Sequence, residues 1–139
     1  MKTGDRFGPS SWTEVSQERI DAFAEATGDH QWIHVDPEKA AAGPFGTTIA
    51  HGYLTLSLLP AASYEVIPAQ GSGMAINYGL DRVRFPAPVP VGSRVRVTFE
   101  VGDVEGAEWG TQVTMTATVE RDGADKPVCV ADVVFRYYS

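Results

Sequence analysis

The rhythm of apolar and polar residues changes twice along this chain. Between Ser16 and Gly28 the positions Ile20, Phe23, Ala24 and Thr27 recur three and four apart, which is the spacing of one helical stripe. Ser16 stands at the N-cap position, Glu18 and Asp21 follow in the first turn, and Gly28 closes the segment as a C-terminal glycine. From Ile49 to about Tyr64, apolar or small residues cover nearly every face. That pattern predicts a helix buried all round, capped by Thr47 or Thr48 and kinked at Pro60. After a loop over 68–73 the rhythm shortens again. Segments 74–85, 94–103, 111–121 and 127–138 are rich in Val, Thr, Phe and Tyr and show patches of alternation. Turns such as Pro90-Val91-Gly92-Ser93 and Asp122-Gly123 separate them. A short strand over Trp12–Val15 and a short helix over Pro37–Ala42, capped by Asp36, complete the predicted elements.

A buried helix followed by four long strands predicts an α+β class. The simplest packing is a curved antiparallel sheet wrapped round a long central helix, the hot-dog arrangement. A one-sided sheet leaves an edge or face for a second copy, so a homodimer is expected. At 139 residues the chain is long enough for a real core and short enough to be one domain over 1–139.

Composition narrows the partners. A net charge of −7 argues against nucleic acid and against anionic membrane surfaces. The single Cys129 allows no internal disulfide and reads as a buried strand residue. No apolar run is long enough to cross a bilayer, and no apolar stretch follows Met1-Lys2-Thr3-Gly4-Asp5, so a cytoplasmic protein is expected.

Candidate chemistry concentrates between Gly28 and Leu59. Asp29 and His34 are five positions apart. On one helix that offset separates them by about 140°. On a straight strand it sends them to opposite faces. They converge only if the chain bends, and Gly28 and Pro37 suit a loop over 29–35. An acid and a base sharing one water are what hydration of an activated alkene requires. The charge that develops on a thioester oxygen needs a fixed donor. Gly52, about one turn inside the predicted helix start, has no Cβ and lets a carbonyl approach the backbone. This set asks for no cofactor. His30 and His34, four apart, would suit zinc on a helix, but the segment does not read as helix and Gln31 follows His30, so no metal is assigned. His51 reads as a structural hydrogen-bonder near the helix start.

Thr27-Gly28-Asp29-His30-Gln31-Trp32-Ile33-His34-Val35-Asp36 resembles the Gly-Asp-x-Asn-Pro-x-His-x-Asp signature of the MaoC-like (R)-specific enoyl-CoA hydratases. Ala50-His51-Gly52-Tyr53-Leu54 resembles the family's Ala/Val-His-Gly-x-Leu run. The stretch from Arg84-Phe85 to Val91-Gly92 is similar to its Phe-x-x-Pro-Val-x-x-Gly strand and turn. The likeness spans most of the chain, with single-hot-dog proteins of the nodulation-protein-N type as the nearest subgroup. It implies a hydro-lyase that interconverts trans-2-enoyl-CoA and (R)-3-hydroxyacyl-CoA. Asp29 and His34 then fall on the pair that activates water, and Gly52 on the N–H that holds the thioester oxygen. Gln31 replaces the usual asparagine that orients the loop or the water. Trp32 replaces a proline and either closes one side of the acyl pocket or is a core aromatic. An anionic coenzyme A on an acidic protein needs local positive charge. Arg82, Arg84, Arg94 and Arg96 are candidates, Arg84 first. A thioesterase on the same fold, or a non-catalytic acyl-binding protein, are the alternatives.

Overall fold

The computed structural model describes all of residues 1–139. Its elements are β1 (Arg6–Phe7), β2 (Thr13–Val15), α1 (Gln17–Thr27), α2 (Trp32–Val35), α3 (Pro37–Ala41), α4 (Gly52–Ser57), α5 (Leu59–Val66), β3 (Ala75–Arg84), β4 (Ser93–Ala107), β5 (Gly110–Arg121) and β6 (Cys129–Tyr138). The strands form one antiparallel sheet in the order β1-β4-β5-β6-β3, with β2 also on β4. This is the α+β hot-dog arrangement the pattern predicts.

Alternation builds the core. Val95, Val97, Phe99 and Val101 on β4 face inward with Val113, Met115, Ala117 and Val119 on β5. Cys129, Ala131, Val133, Phe135 and Tyr137 on β6 complete that face. Ile20 of α1, Leu54 of α4 and Leu59 of α5 press against it. Each of these larger aliphatic side chains contributes about 1.5–3 kcal/mol by leaving water. The predicted strands match, with one shift. The turn expected between 103 and 111 is shorter, because β4 and β5 stay paired out to Ala107 and Gly110.

Helix α1 has the predicted ends. The Arg19 N–H donates to Ser16 Oγ at 3.1 Å. Gly28 has φ 84°, a left-handed angle that glycine adopts freely, and its N–H reaches the Ala24 carbonyl at 2.8 Å. Thr27, expected on the buried stripe, is exposed.

The central helix differs from expectation in three ways. It starts at Gly52, with neither Thr47 nor Thr48 as its cap. The reason is long-range: Ala50 N–H donates to Val89 O at 2.8 Å and Val91 N–H to Thr48 O at 2.9 Å, which holds 48–50 extended against 89–91. It is also divided at Leu58, with Pro60 in the first turn of α5, as a proline inside the run predicts. Finally, it is not buried all round. Tyr53 and Tyr64 are 73% and 76% exposed, so one face of the helix is open in a single copy. No helix is long and apolar enough to cross a membrane.

Candidate active site

Three short segments meet at the N-terminal end of the central helix. The first is the bend after α1. Gly28 turns the chain, Asp29 stays outside any helix, and Asp29 Oδ1 accepts the Gln31 N–H at 3.3 Å. The second is α2, a single helical turn where the sequence predicts loop. Gln31 before it and Asp36 after it have extended ψ angles of 139° and 89°. The third is the extended stretch 48–51 that leads into α4.

The second and third segments are tied reciprocally. Ile49 N–H donates to Ile33 O at 3.0 Å, and His34 Nδ1 lies 2.7 Å from Ile49 O. A carbonyl only accepts, so Nδ1 carries the hydrogen in this contact. His34 is 6% exposed. Its Nε2 takes no partner in the chain and keeps a little access to solvent.

These ties fold the loop as the five-residue offset requires. Ligand-capable atoms of Asp29, His34 and His51 all lie within 4.8 Å of one another. A three-residue cluster of this kind raises the question of a metal. The rings of His34 and His51 are stacked, with centroids 3.9 Å apart and planes at 23°. Lone pairs in two nearly parallel rings run side by side and do not converge on one ion. One nitrogen of each ring is held on a backbone carbonyl, Ile49 O and Asp29 O, so any ligation would fall to His34 Nε2 and to His51 Nδ1, which is sealed from solvent. His30 lies apart, half-exposed beside Glu25.

Gly52 is the first residue of α4 rather than a turn inside it, which puts its N–H among the unpaired donors of the helix start. The first intrahelical donors are Leu54 and Thr55, both to His51 O; the Gly52 and Tyr53 N–H groups meet no backbone acceptor. A Cβ on Gly52 would come within 3.1 Å of the Phe85 ring. Gly52 and Phe85 border a cavity of about 330 Å³ that also involves Ile49, Thr55, Pro86 and Val89.

The other predicted residues are less uniform. The Gln31 side-chain amide is exposed and bonds nothing in the chain; its visible contact is the backbone N–H on Asp29. Trp32 lies against Gly43 and under Lys39 Nζ, 4.9 Å from the ring, a scaffold position. Arg94 and Arg96 pair with Asp122 and Glu120 and stack on Trp12. Arg84 forms no ion pair and spends one donor on its neighbour's carbonyl, Val83 O at 2.9 Å. Of the four candidate arginines, the ones on β4 are therefore engaged.

Sequence reading missed the frame around the site. Gln17 Nε2 donates to His34 O at 2.8 Å and to Asp21 Oδ1 at 2.9 Å, while its Oε1 accepts from Thr48 Oγ1 at 2.6 Å. One amide thus joins α1, α2 and the 48–50 stretch. Its two partners outside α1 are 17 and 31 positions away, and no local pattern announces them.

Comparison with known proteins bears on the family and the fold. A family model described as MaoC like domain matches residues 1–124. The chain is 58% identical over 135 residues to the 3-hydroxyacyl-thioester dehydratase Z of Mycobacterium tuberculosis, covering 96% of this chain and 89% of that protein. It is 47% identical to nodulation protein N of Rhizobium leguminosarum bv. viciae, over 94% of this chain and 83% of the other. Among solved structures, the unliganded R-hydratase of Pseudomonas aeruginosa superposes with a TM-score of 0.81 at 27% identity, covering 100% of this chain and 83% of that one.

Proposed function

From a chain that belongs to the MaoC-like dehydratase family, and so to the hydro-lyases, we propose the finer activity of an (R)-specific 2-enoyl-CoA hydratase. It adds water to trans-2-enoyl-CoA and removes it from (R)-3-hydroxyacyl-CoA. The observation that carries this reading is the meeting of the Asp29 carboxylate and the His34 imidazole within 4.8 Å. His34 Nδ1 is committed to Ile49 O, which leaves Nε2 to address a water.

A water between the two groups would be activated as follows. Its oxygen attacks the β-carbon as one member of the pair takes its proton. The alkene electron pair moves toward the carbonyl, and the oxygen that gains charge is held by the Gly52 N–H. The other member, protonated at the outset, delivers that proton to the α-carbon, so the pair ends with the proton exchanged and none gained or lost. Water and proton arrive from one face, which makes the addition syn. Asp29 and His34 are the proposed catalytic residues. Gly52 is the proposed oxyanion donor, supported by its unpaired N–H at the start of α4. Gln31 steadies the Asp29 carboxylate through its backbone. Arg84 is the proposed phosphate contact.

The same reading takes residues 1–139 as one catalytic domain that works in the cytoplasm as a homodimer. Support for pairing comes from the edge strand β3, where Ile76, Tyr78 and Leu80 are 44%, 56% and 47% exposed. An exposed apolar edge strand is a liability unless a partner covers it. The test is hydration of crotonyl-CoA. Loss of the conjugated-alkene absorbance, with (R)-3-hydroxybutyryl-CoA as product, is expected. Release of free coenzyme A thiol instead would make the protein a thioesterase.

A further inference from the structure

His51 is more than a neighbour of the proposed catalytic pair. It is 3% exposed and immediately precedes Gly52. Its Nε2 lies 2.9 Å from the backbone carbonyl of Asp29. A carbonyl accepts, so Nε2 carries the hydrogen. Its ring stacks on His34 at 3.9 Å and meets Phe23 at 4.9 Å. Its Nδ1 is buried and has no partner. In the neutral ring that atom is an unmatched acceptor, which is unfavourable in a protein interior. A purely structural site would be better served by an apolar ring, so retaining an imidazole with one unmatched nitrogen makes sense for what the other nitrogen does.

That nitrogen restrains a segment with few other restraints. Asp29 is exposed, lies outside any helix, and follows a glycine. Its backbone carbonyl has no bond to backbone in this structure; His51 supplies its partner. Through one ring, His51 fixes the main chain of Asp29 and the face of the His34 imidazole. It also leads directly into the Gly52 N–H. We infer that His51 is a positioning residue: its Nε2–H pins Asp29 and its ring registers His34, which sets the distance between the two groups that share the water. The inference rests on the hydratase reading for its kinetic consequence, while the pinning itself stands on the geometry alone.

Two substitutions separate positioning from simple support. His51→Phe keeps a stacking ring, removes the unmatched acceptor and removes the donor. His51→Gln removes the ring but places an amide N–H near the Nε2 position. His51→Phe is expected to fold with an undiminished thermal midpoint, and to lose roughly 10- to 100-fold in kcat with KM for crotonyl-CoA within about twofold, as a displaced catalytic group does. His51→Gln should regain most of that kcat even if it melts earlier. Amide spectra of labelled protein read the loop without turnover: signals of Asp29 to Gln31 should shift and broaden in His51→Phe and stay near wild type in His51→Gln. If wild-type protein hydrates no enoyl-CoA, the functional reading falls and the spectra still decide the pinning. Unchanged loop signals in His51→Phe, full kcat in that variant, or no rescue by glutamine would each overturn the inference.

Discussion

The proposed pair can be tested by removing its two members separately and together. Asp29→Asn is nearly isosteric: it keeps the side-chain oxygen that accepts the Gln31 N–H and removes the negative charge. His34→Asn is chosen over alanine for a structural reason. The asparagine amide nitrogen falls close to the Nδ1 position, so the bond to Ile49 O at 2.7 Å can persist while Nε2 disappears. Alanine would leave that carbonyl unpaired, at a cost of about 1–3 kcal/mol in stability that clouds the result. The expected magnitude follows from the separation. A water with two hydrogen bonds of about 2.8 Å spans about 4.8 Å when the angle between them is near 120°, and the Asp29 carboxylate and His34 ring lie within that limit, so a single shared water is the premise of the test. Each single variant then loses the same shared step, and kcat falls roughly 10²-fold or more, about 2.7 kcal/mol in barrier. Two independent groups would give about 10⁴-fold in the double variant. Two groups acting on one water give a double variant little worse than either single one. The assay is initial-rate hydration of crotonyl-CoA, with circular dichroism to confirm folding. An additive double variant, or a folded Asp29→Asn protein of near-normal turnover, would refute the shared-water mechanism.

Arg84→Ala should raise KM for coenzyme A thioesters roughly five- to tenfold with kcat nearly unchanged, and should matter less for short thioesters without the nucleotide; equal losses on both would point to structure instead. Burial pushes the Cys129 thiol up to about 11 and the Tyr137 phenol up to about 12. Each proton is therefore held more tightly by the folded chain than by the unfolded one. Their contribution is full below pH 9.0 for the thiol and 10.0 for the phenol, and is lost as pH rises toward about 11 and about 12, at most about 3 kcal/mol apiece. Chemical denaturation from pH 8 upward should show stability level to about pH 9 and falling above it, and Cys129 should resist alkylation until the protein unfolds. Sedimentation at micromolar concentration should give twice 15.0 kDa, and Leu80→Glu on the exposed edge of β3 should shift it toward monomer.

Much of this architecture is legible in the sequence because its causes are local. Period-two alternation on β4, β5 and β6, the Ser16 cap and the left-handed Gly28 each depend on a few adjacent residues. What escapes reading is set by distant partners. The central helix begins three residues late because Thr48 and Ala50 spend their backbone groups on 89–91. Helix α2 has four residues, too few for a periodic signal, and β1 has only two. The convergence of Asp29 and His34 is foreseeable only as a requirement that the chain bend. How it bends depends on Ile49, Gln17 and His51, none adjacent to the pair. The open helix face was not foreseeable from hydrophobicity, which reports that Tyr53 and Tyr64 prefer cover but not whether their own chain supplies it.

The pairing of early strands with β4 has a bearing on how the protein is made. Thr13 to Val15 find their partners at Ser93 to Val95, and the 48–50 stretch finds its own at 89–91. A ribosome therefore releases every proposed catalytic group well before the strand that braces them exists. Closing such wide loops costs chain entropy ahead of any reward, so assembly of this site waits until residues 89–95 are available to pair. Until then Asp29 and His34 are unconnected positions on a growing chain, and a fragment ending before Pro90 should carry both residues yet hold neither in place.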